Sequence, residues 1–352
     1  MIVYSKSSGL NPGAYGRLET PIKMVIEHES DIQTKKGGIC SWLFNVERSN
    51  KFGETIIGQS EFDVFNAALE GAGADNDTIT ETYRKFIEHI QFMKEFTVTA
   101  EMMEDAGYGV AQDTKRRAEN FTRAYYKTIN KICEFALSNA TAKEGTFARA
   151  RLDLTAPDNN PLFYKDHTWG TAGNHGTQSN FFWGDIFKKG VDDERKPSVE
   201  VFEEALSELS AKLRNMKDEN GDILGYTPDT IILPGNRFVS EAIVKKVCGT
   251  EFALGSANND INLNYGNWNI IIMPNWQAEL DSMMLMSSEA NKNLSGNMFF
   301  NRVPLTVTNW VDHHTGNYIW NGRCRFGVGF GSYKHILMAV DANYAITGAT
   351  KL

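Results

Sequence analysis

The stretch DAGYGVAQDTKRRAENFTRAYYKTINKICEFALSNA, residues 105–140, carries the longest uninterrupted helical pattern in the chain. Apolar or small residues fall at Val110, Thr114, Ala118, Phe121, Tyr125, Ile129, Ile132 and Ala136. Steps of three or four residues throughout put them on one face of an α-helix. The other face holds Asp113, Lys115, Arg116, Glu119, Arg123, Lys127 and Lys131, so it should be wet or meet a charged partner. Gly107 and Gly109 mark the start, and Asn139 with Gly145 beyond it marks the end. A helix of this length exceeds the globular average, and something elongated must pack along it.

Composition narrows the class. The chain has 352 residues, enough for two or three compact units or one elongated one. A hydrophobic content of 41% and a charged content of 23% are ordinary for a folded protein. Its net charge of −8 means that the surface as a whole repels nucleic acid, and no Lys/Arg block stands out against it. No stretch has the length and apolarity of a membrane span, and the N-terminus lacks the pattern of a secretory signal. Cys40, Cys133, Cys248 and Cys324 lie far apart with no CxxC spacing, which reads as reduced core thiols of a cytosolic product.

Residues 1–24 are rich in Gly, Ser, Pro and Thr and read as an arm that orders by lying on something else. Short apolar runs from residue 24 to 57, among them MVIEH and CSWLFNV, predict strands joined by turns. Residues 59–74 and 78–99 predict two extended arms meeting at a Gly/Ala/Asp tip. Such an excursion cannot bury a core of its own and needs a neighbour. After the long helix, residues 150–180 predict loops. Val199, Phe202, Leu206, Leu209, Leu213 and Met216 step as a helix with Ser198 as its N-cap. A strand at residues 228–234, a helix at 237–248 and a strand at 268–273 follow, a mixed α/β order around a sheet. Residues 283–286, 303–310, 318–320, 323–328 and 335–340 predict strands, with a hairpin turn at Asp312-His-His-Thr-Gly-Asn317.

Four places hold chemistry-bearing residues. His313 and His314 beside Asp312 lack the spacing of a metal site and read as a solvated turn. His167 and His175, with Asp166 near, have no serine or cysteine in a nucleophile context and read as loop histidines. Gly327-Val-Gly-Phe-Gly331 has the spacing of a phosphate loop but runs into a strand, so its glycines serve bending or close packing. Asp218-Glu-Asn-Gly-Asp222 lacks the downstream glutamate of a calcium loop and reads as a helix end and turn. No catalytic, cofactor-binding or metal-ligating residue is assigned, no cofactor is expected, and the chain does not read as an enzyme.

The order of these elements resembles the major capsid fold of tailed bacteriophages, which encapsulin shells share. FTVTAEMMED at 96–105, leading into the long helix, resembles the strand-to-helix junction of Mu-like phage head subunits. NPLFYKDH at 160–167, the helix and DENG turn at 204–221, TPDTIILP at 227–234 and GNYIWNGRCRFG at 316–327 resemble further segments of that branch. The match spans roughly residues 60–340, and its order and spacing carry it.

The resemblance implies an α+β chain with the tailed-phage major capsid fold. Residues 1–30 would be an N-terminal arm, 31–98 peripheral strands with the extended loop, and 99–194 a peripheral domain with spine helix 107–140. Residues 195–305 would form the axial domain and 306–352 a β return to the peripheral domain. The apolar face of the spine helix should pack on residues 318–340 of that return. Deleting residues 58–97 is expected to leave a foldable subunit that cannot assemble. The resemblance further implies hexamers and pentamers of the chain itself, closed into an icosahedral head that encloses double-stranded DNA without sequence-specific binding. Expected partners are a separate scaffolding protein, a portal and decoration proteins, with no membrane, and the expected location is the virion, assembled in the host cytoplasm. Many relatives carry a charged N-terminal scaffolding segment; this sequence starts with the arm, so scaffolding is expected from a separate protein or from a segment already removed. A Lys–Asn crosslink known in one branch is not assigned, although Lys51 and Lys94 stand near the excursion. An encapsulin-like compartment shell and a soluble enzyme with no recognisable site are the alternative readings.

Overall fold

The computed structural model describes residues 3–4, 14–59, 67, 81–101, 108–171, 174–190, 195–251 and 261–352. The chain opens with β1 (Val3–Tyr4), α1 (Ala14–Lys36), α2 (Ile39–Leu43), β2 (Asn45–Arg48), β3 (Gly53–Gln59), β4 (Glu81–Glu88) and β5 (Ile90–Val98). The long helix α3 (Tyr108–Ser138) follows, then β6 (Glu144–Phe147), β7 (Ala150–Asp153), β8 (His167–Thr171), β9 (Asn174–Gln178) and β10 (Phe181–Gly184). Next come β11 (Lys188–Lys189), β12 (Lys196–Pro197), α4 (Val199–Arg214), β13 (Thr230–Pro234), α5 (Phe238–Gly249) and β14 (Asn269–Met273). The chain ends with β15 (Ser282–Met286), α6 (Ser288–Asn293), β16 (Asn297–Val311), β17 (Tyr318–Phe330), β18 (Ile336–Asp341) and β19 (Thr350–Lys351). Two compact units divide it: unit 1 holds residues 1–54, 87–133 and 299–328, and unit 2 holds 55–86, 134–298 and 329–352.

In unit 1 a sheet runs β1-β16-β17-β5, with β2 also on β16. Ala118 and Phe121 of α3 pack with Ile22 and Ile26 of α1, Leu305 and Val307 of β16, and Trp320 of β17. Trp320 lies parallel to Phe96 of β5 at 6.1 Å, and Phe96 meets Phe121 at 5.2 Å. Each buried ring or branched chain here stabilises the unit by roughly 1.5–3 kcal/mol relative to exposure. The stripe predicted on α3 packs on β17, but residues 329–340 of the expected return belong to unit 2, where β18 pairs with β15 and β10.

Polar pairs join α1 and α2 to the other side of α3. Arg123 donates through Nε to Glu29 at 2.7 Å, the Tyr126 hydroxyl lies 2.6 Å from Ser30, and the Cys40 N–H donates to Asn130 at 3.2 Å. From Ile22 and Ile26 beside Ala118 and Phe121 to Glu29 and Ser30 beside Arg123 and Tyr126, contacts advance along both helices together, so α1 and α3 run in the same direction.

Unit 2 is built on a mixed sheet of order β14-β13-β15-β18-β10-β19. β13 pairs parallel with β14 and antiparallel with β15, while β18 pairs antiparallel with β15 and parallel with β10. Every residue of β13, β15 and β18 is buried, as the apolar runs TIILP, SMMLM and ILMAV require. Phe202, Leu206, Leu209 and Leu213 of α4 and Val244 and Val247 of α5 share the core with Ile231, Leu233, Leu285 and Leu337. Ser198 caps α4, its hydroxyl accepting the Val201 N–H, with Glu200 in the first turn and Arg214 in the last.

Several sequence expectations are corrected. Residues 24–43 are not strands: MVIEH lies in α1, which begins at Ala14 inside the presumed aperiodic arm, and most of CSWLF lies in α2. Its buried face is half polar, with Glu29 and Ser30 partnered by α3, which hides the helical period. Residues 78–99 are not one arm. β4 ends at Glu88, His89 is buried, and β5 enters the sheet beside β17 from Phe326↔Ile90 to Tyr318↔Val98. The tip of the excursion, residues 60–66 and 68–80, lies outside the described residues. Residues 150–180 contain β7, β8 and β9, short pairs among turns. The two strands expected at 318–320 and 323–328 are the single strand β17.

Candidate functional site

The residues singled out by sequence fall apart in space. Asp312 closes the β16–β17 turn: its carboxylate accepts the His314 N–H at 3.0 Å and the Thr315 hydroxyl at 2.7 Å. Those hydrogen bonds hold the Asp312 carboxyl below the usual range, and His313 and His314 stand exposed on the turn. Asp218 is buried and accepts three backbone N–H groups, from Asn220, Gly221 and Asp222, which is a turn and not a cation loop. Gly327 and Gly331 lie at the end of β17, and a Cβ on Gly331 would stand 2.3 Å from the Ser295 carbonyl. Close packing explains that glycine. The side chain of His175 lies outside the described residues.

His167 differs from its reading as a loop histidine. It starts β8 fully buried, stacked on Tyr333 at 3.9 Å, with Nδ1 2.8 Å from Asp158 and Nε2 3.0 Å from the Leu162 carbonyl oxygen. Burial pushes the Asp158 carboxyl up, but the bond and charge of His167 outweigh it and hold it low. Nearby, Lys334 is buried with Nζ 2.6 Å from Glu219, and the Tyr333 hydroxyl donates to the Thr168 carbonyl at 3.1 Å. Tyr83, Asp158, Glu219, Tyr333 and Lys334 line a cavity of about 180 Å³. Sequence missed this cluster, because its members are up to 251 residues apart in the chain and no local spacing joins them. Each acid already has a cation or N–H donor, so the network braces unit 2.

A second network lies in unit 1. Ser49 donates its hydroxyl to Glu54 at 2.7 Å and accepts the Lys51 N–H, and His89 Nε2 lies 2.8 Å from the same oxygen. A serine, a histidine and a carboxylate thus meet. However, the serine proton is committed to Glu54, and Ser49 and His89 are both buried, so no substrate reaches the hydroxyl. Burial also holds the His89 pKa down. A cavity of about 270 Å³ in the same unit is lined by Gln33, Cys40, Tyr125, Asn130 and Asn301 among others, with no acid–base pair. All four thiols are buried and none forms a disulfide; burial raises Cys248 to about 11 and Cys324 to about 12. Those two remain protonated and unreactive at neutral pH.

Surface chemistry is more distinctive than any cleft. At one end of α5, Phe238 is 78% exposed; at the other, Ile261 and Leu263 are 79% and 84% exposed. Asn262 between them is buried, its amide donating to the carbonyls of Val247 and Thr250 and its N–H to Glu251 at 3.1 Å. That anchor fixes the loop and thereby aims both neighbours at solvent. The base of the β3–β4 pair is seated in unit 2, where Lys85 reaches Asp153 and Thr155 at 2.5 Å and the Tyr83 hydroxyl donates to the Gly331 carbonyl at 2.8 Å. Ile57 and Phe86 remain exposed on it.

These features define an α+β chain with large apolar side chains exposed at α5 and on the β3–β4 pair. Among the described residues there is no group of metal-ligating side chains, and no helix is long and apolar enough to cross a membrane. No family model matches the chain, and no curated protein matches it in sequence. Solved structures are similar to it in fold. The chain is similar to the capsid of the cyanophage P-SCSP1u at 8% identity and TM-score 0.49, over 88% of this chain and 89% of that one. It is similar to a chain of Mycobacterium phage Patience at 12% identity and TM-score 0.49, over 99% and 93%. The capsid of Myoviridae phage XM1 aligns at 12% identity and TM-score 0.49, over 87% and 92%.

Proposed function

We propose that this chain is the major capsid protein of a tailed bacteriophage or prophage, of the Mu-like head-subunit branch, and that its work is structural. The observation that carries the reading is the β3–β4 pair: a separate two-stranded sheet with Ile57 and Phe86 exposed on it. A two-stranded ribbon is marginal alone in water, so its apolar side needs a surface that a neighbouring subunit supplies. The exposed residues at both ends of α5 support the same reading.

The segments take these roles. Helix α1 and strands β2 and β5 stay within unit 1, the β3–β4 excursion of residues 53–88 forms the extended loop over the adjacent subunit, and α3 forms the spine. Residues 195–298 of unit 2 form the axial domain, whose tips meet at five-fold and six-fold axes, and 299–328 are the β return to unit 1, while 329–352 complete the sheet of unit 2. Identical subunits join as hexamers and pentamers, and many modest interfaces sum to a stable closed shell. Assembly takes place in the host cytoplasm with a separate scaffolding protein and a portal, decoration proteins bind afterwards, and the shell encloses double-stranded DNA without sequence-specific binding. No catalytic step is proposed.

Negative-stain electron microscopy of the purified chain, alone and co-expressed with its neighbouring scaffold gene, tests this. Closed icosahedral particles or capsomers are expected. A discrete monomer or small oligomer by light scattering at every salt and protein concentration would refute the reading.

A further inference from the structure

The helix α3 carries six basic side chains against three acidic ones, a net of +3, in a chain whose net charge is −8. Arg116, Arg123 and Lys127 are exposed and Lys131 half-buried. At 100° per residue these four fall within about 80° of arc and extend about 22 Å along the axis. Asn120 lies within the same strip. The acids beside the strip are already engaged, Asp113 by Arg117 at 3.1 Å and both Glu29 and Glu119 by Arg123 at 2.7 and 3.8 Å. Among the described residues, Arg116, Lys127 and Lys131 have no carboxylate within ion-pair reach.

Charge left open in this way identifies the partner. Between residues 112 and 138 no large hydrophobic side chain is exposed. Cores of protein–protein interfaces are rich in aromatic residues and poor in lysine, so this strip has the wrong surface for a second copy. It suits a polyanion: duplex DNA presents a charge about every 1.7 Å, and phosphate contacts need cations and amides in a row but no base readout.

We propose that the exposed face of α3 is the surface on which the subunit meets the phosphate backbone of duplex DNA, without sequence preference. This rests on the capsid reading and adds to it which face of the subunit turns inward.

Fluorescence anisotropy of the full-length chain with a random-sequence duplex, over a range of salt, tests it. Replacing Arg116, Lys127 and Lys131 together with glutamine (R116Q/K127Q/K131Q) should flatten the slope of log K against log salt by about 2.7, three contacts at roughly 0.9 each. The control K143Q/K246Q/K292Q, three exposed lysines of unit 2, should leave the slope unchanged. Equal slopes for the wild type and the α3 variant, or no duplex binding by the wild type at low salt, overturn the proposal. So does loss of particles with an unaltered slope, which would make the strip a contact between copies. Micrographs of the same wild-type preparation separate this from the capsid reading: a slope that flattens without particles keeps the surface and removes the shell.

Discussion

The ring of Phe121 on α3 lies so close over Gly322 of β17 that a Cβ at residue 322 would stand 2.3 Å from the Phe121 Cζ. A Cβ there would also meet Leu305 at 3.0 Å. Helix and sheet approach this closely because one of them has no side chain at the crossing. Gly322→Ala should therefore destabilise unit 1 by about 1–3 kcal/mol through overpacking. Phe121→Ala relieves the clash while leaving a void, so the double variant should cost less than the sum of the singles. Urea unfolding of all four proteins measures this coupling, and strict additivity would show that ring and glycine do not constrain each other. Phe121→Asp, which buries an unpaired charge, should abolish soluble expression.

Removing the excursion must respect the sheet. A deletion of residues 58–97 would take out β5 and with it the partner of β17, so that variant should misfold, contrary to the sequence expectation. Replacing residues 60–80 with a short Gly/Ser linker keeps β3, β4 and the Lys85–Asp153 pair. That variant should unfold at the wild-type midpoint by circular dichroism yet form no closed particles in micrographs. Normal particles would show that the tip is not needed for assembly.

Stability should fall in acid through His335. The imidazole is fully buried with Nε2 2.9 Å from Asn297 Oδ1, and burial lowers its pKa from 6.5 to about 3. The folded protein thus holds the neutral ring, while the unfolded chain takes up a proton below pH 6.5. Stability from this site is complete above about 6.5 and lost as pH falls towards about 3, a span worth at most about 5 kcal/mol. His335→Gln should be less stable at neutral pH and show a flatter denaturation midpoint between pH 6.5 and 4. A wild-type midpoint constant over that range would contradict the assignment.

The β6–β7 turn holds two non-glycine residues in the left-handed region, Ala148 at φ 47° and Arg149 at φ 73°. A two-residue turn with both centres at positive φ favours Asn-Gly. Ala148→Asn with Arg149→Gly should raise stability by about 1 kcal/mol. The thermal midpoint reads it directly, and a drop would mean that these side chains make contacts worth more than the backbone strain.

Much of the fold was legible because the signal was local. The α3 stripe, the Ser198 cap of α4, the apolar runs of β13 and β15 and the Asp312 turn each depend on residues within a few positions of one another. The α1 helix was not legible. Pro21 falls inside it, and its inner face mixes Ile22 and Ile26 with Glu29 and Ser30, which are buried only because Arg123 and Tyr126 receive them. His167 was misread for the same reason: Asp166 is its neighbour in sequence, but Asp158 is its partner in space.

By itself, then, the sequence determined that α3, α4 and α5 are helical, that β13, β14 and β15 are extended, and which faces of α3 and α4 are apolar. Those properties follow from periods of two and 3.6 residues and from short-range capping. Only the tertiary structure decided which polar groups are buried in pairs, that Ser49, Glu54 and His89 meet without exposing a nucleophile, and where β5 leaves the excursion for the sheet. It also decided which apolar chains, such as Ile261 and Leu263, stay in water. Burial depends on what distant segments bring to the same place, and local spacing does not encode that.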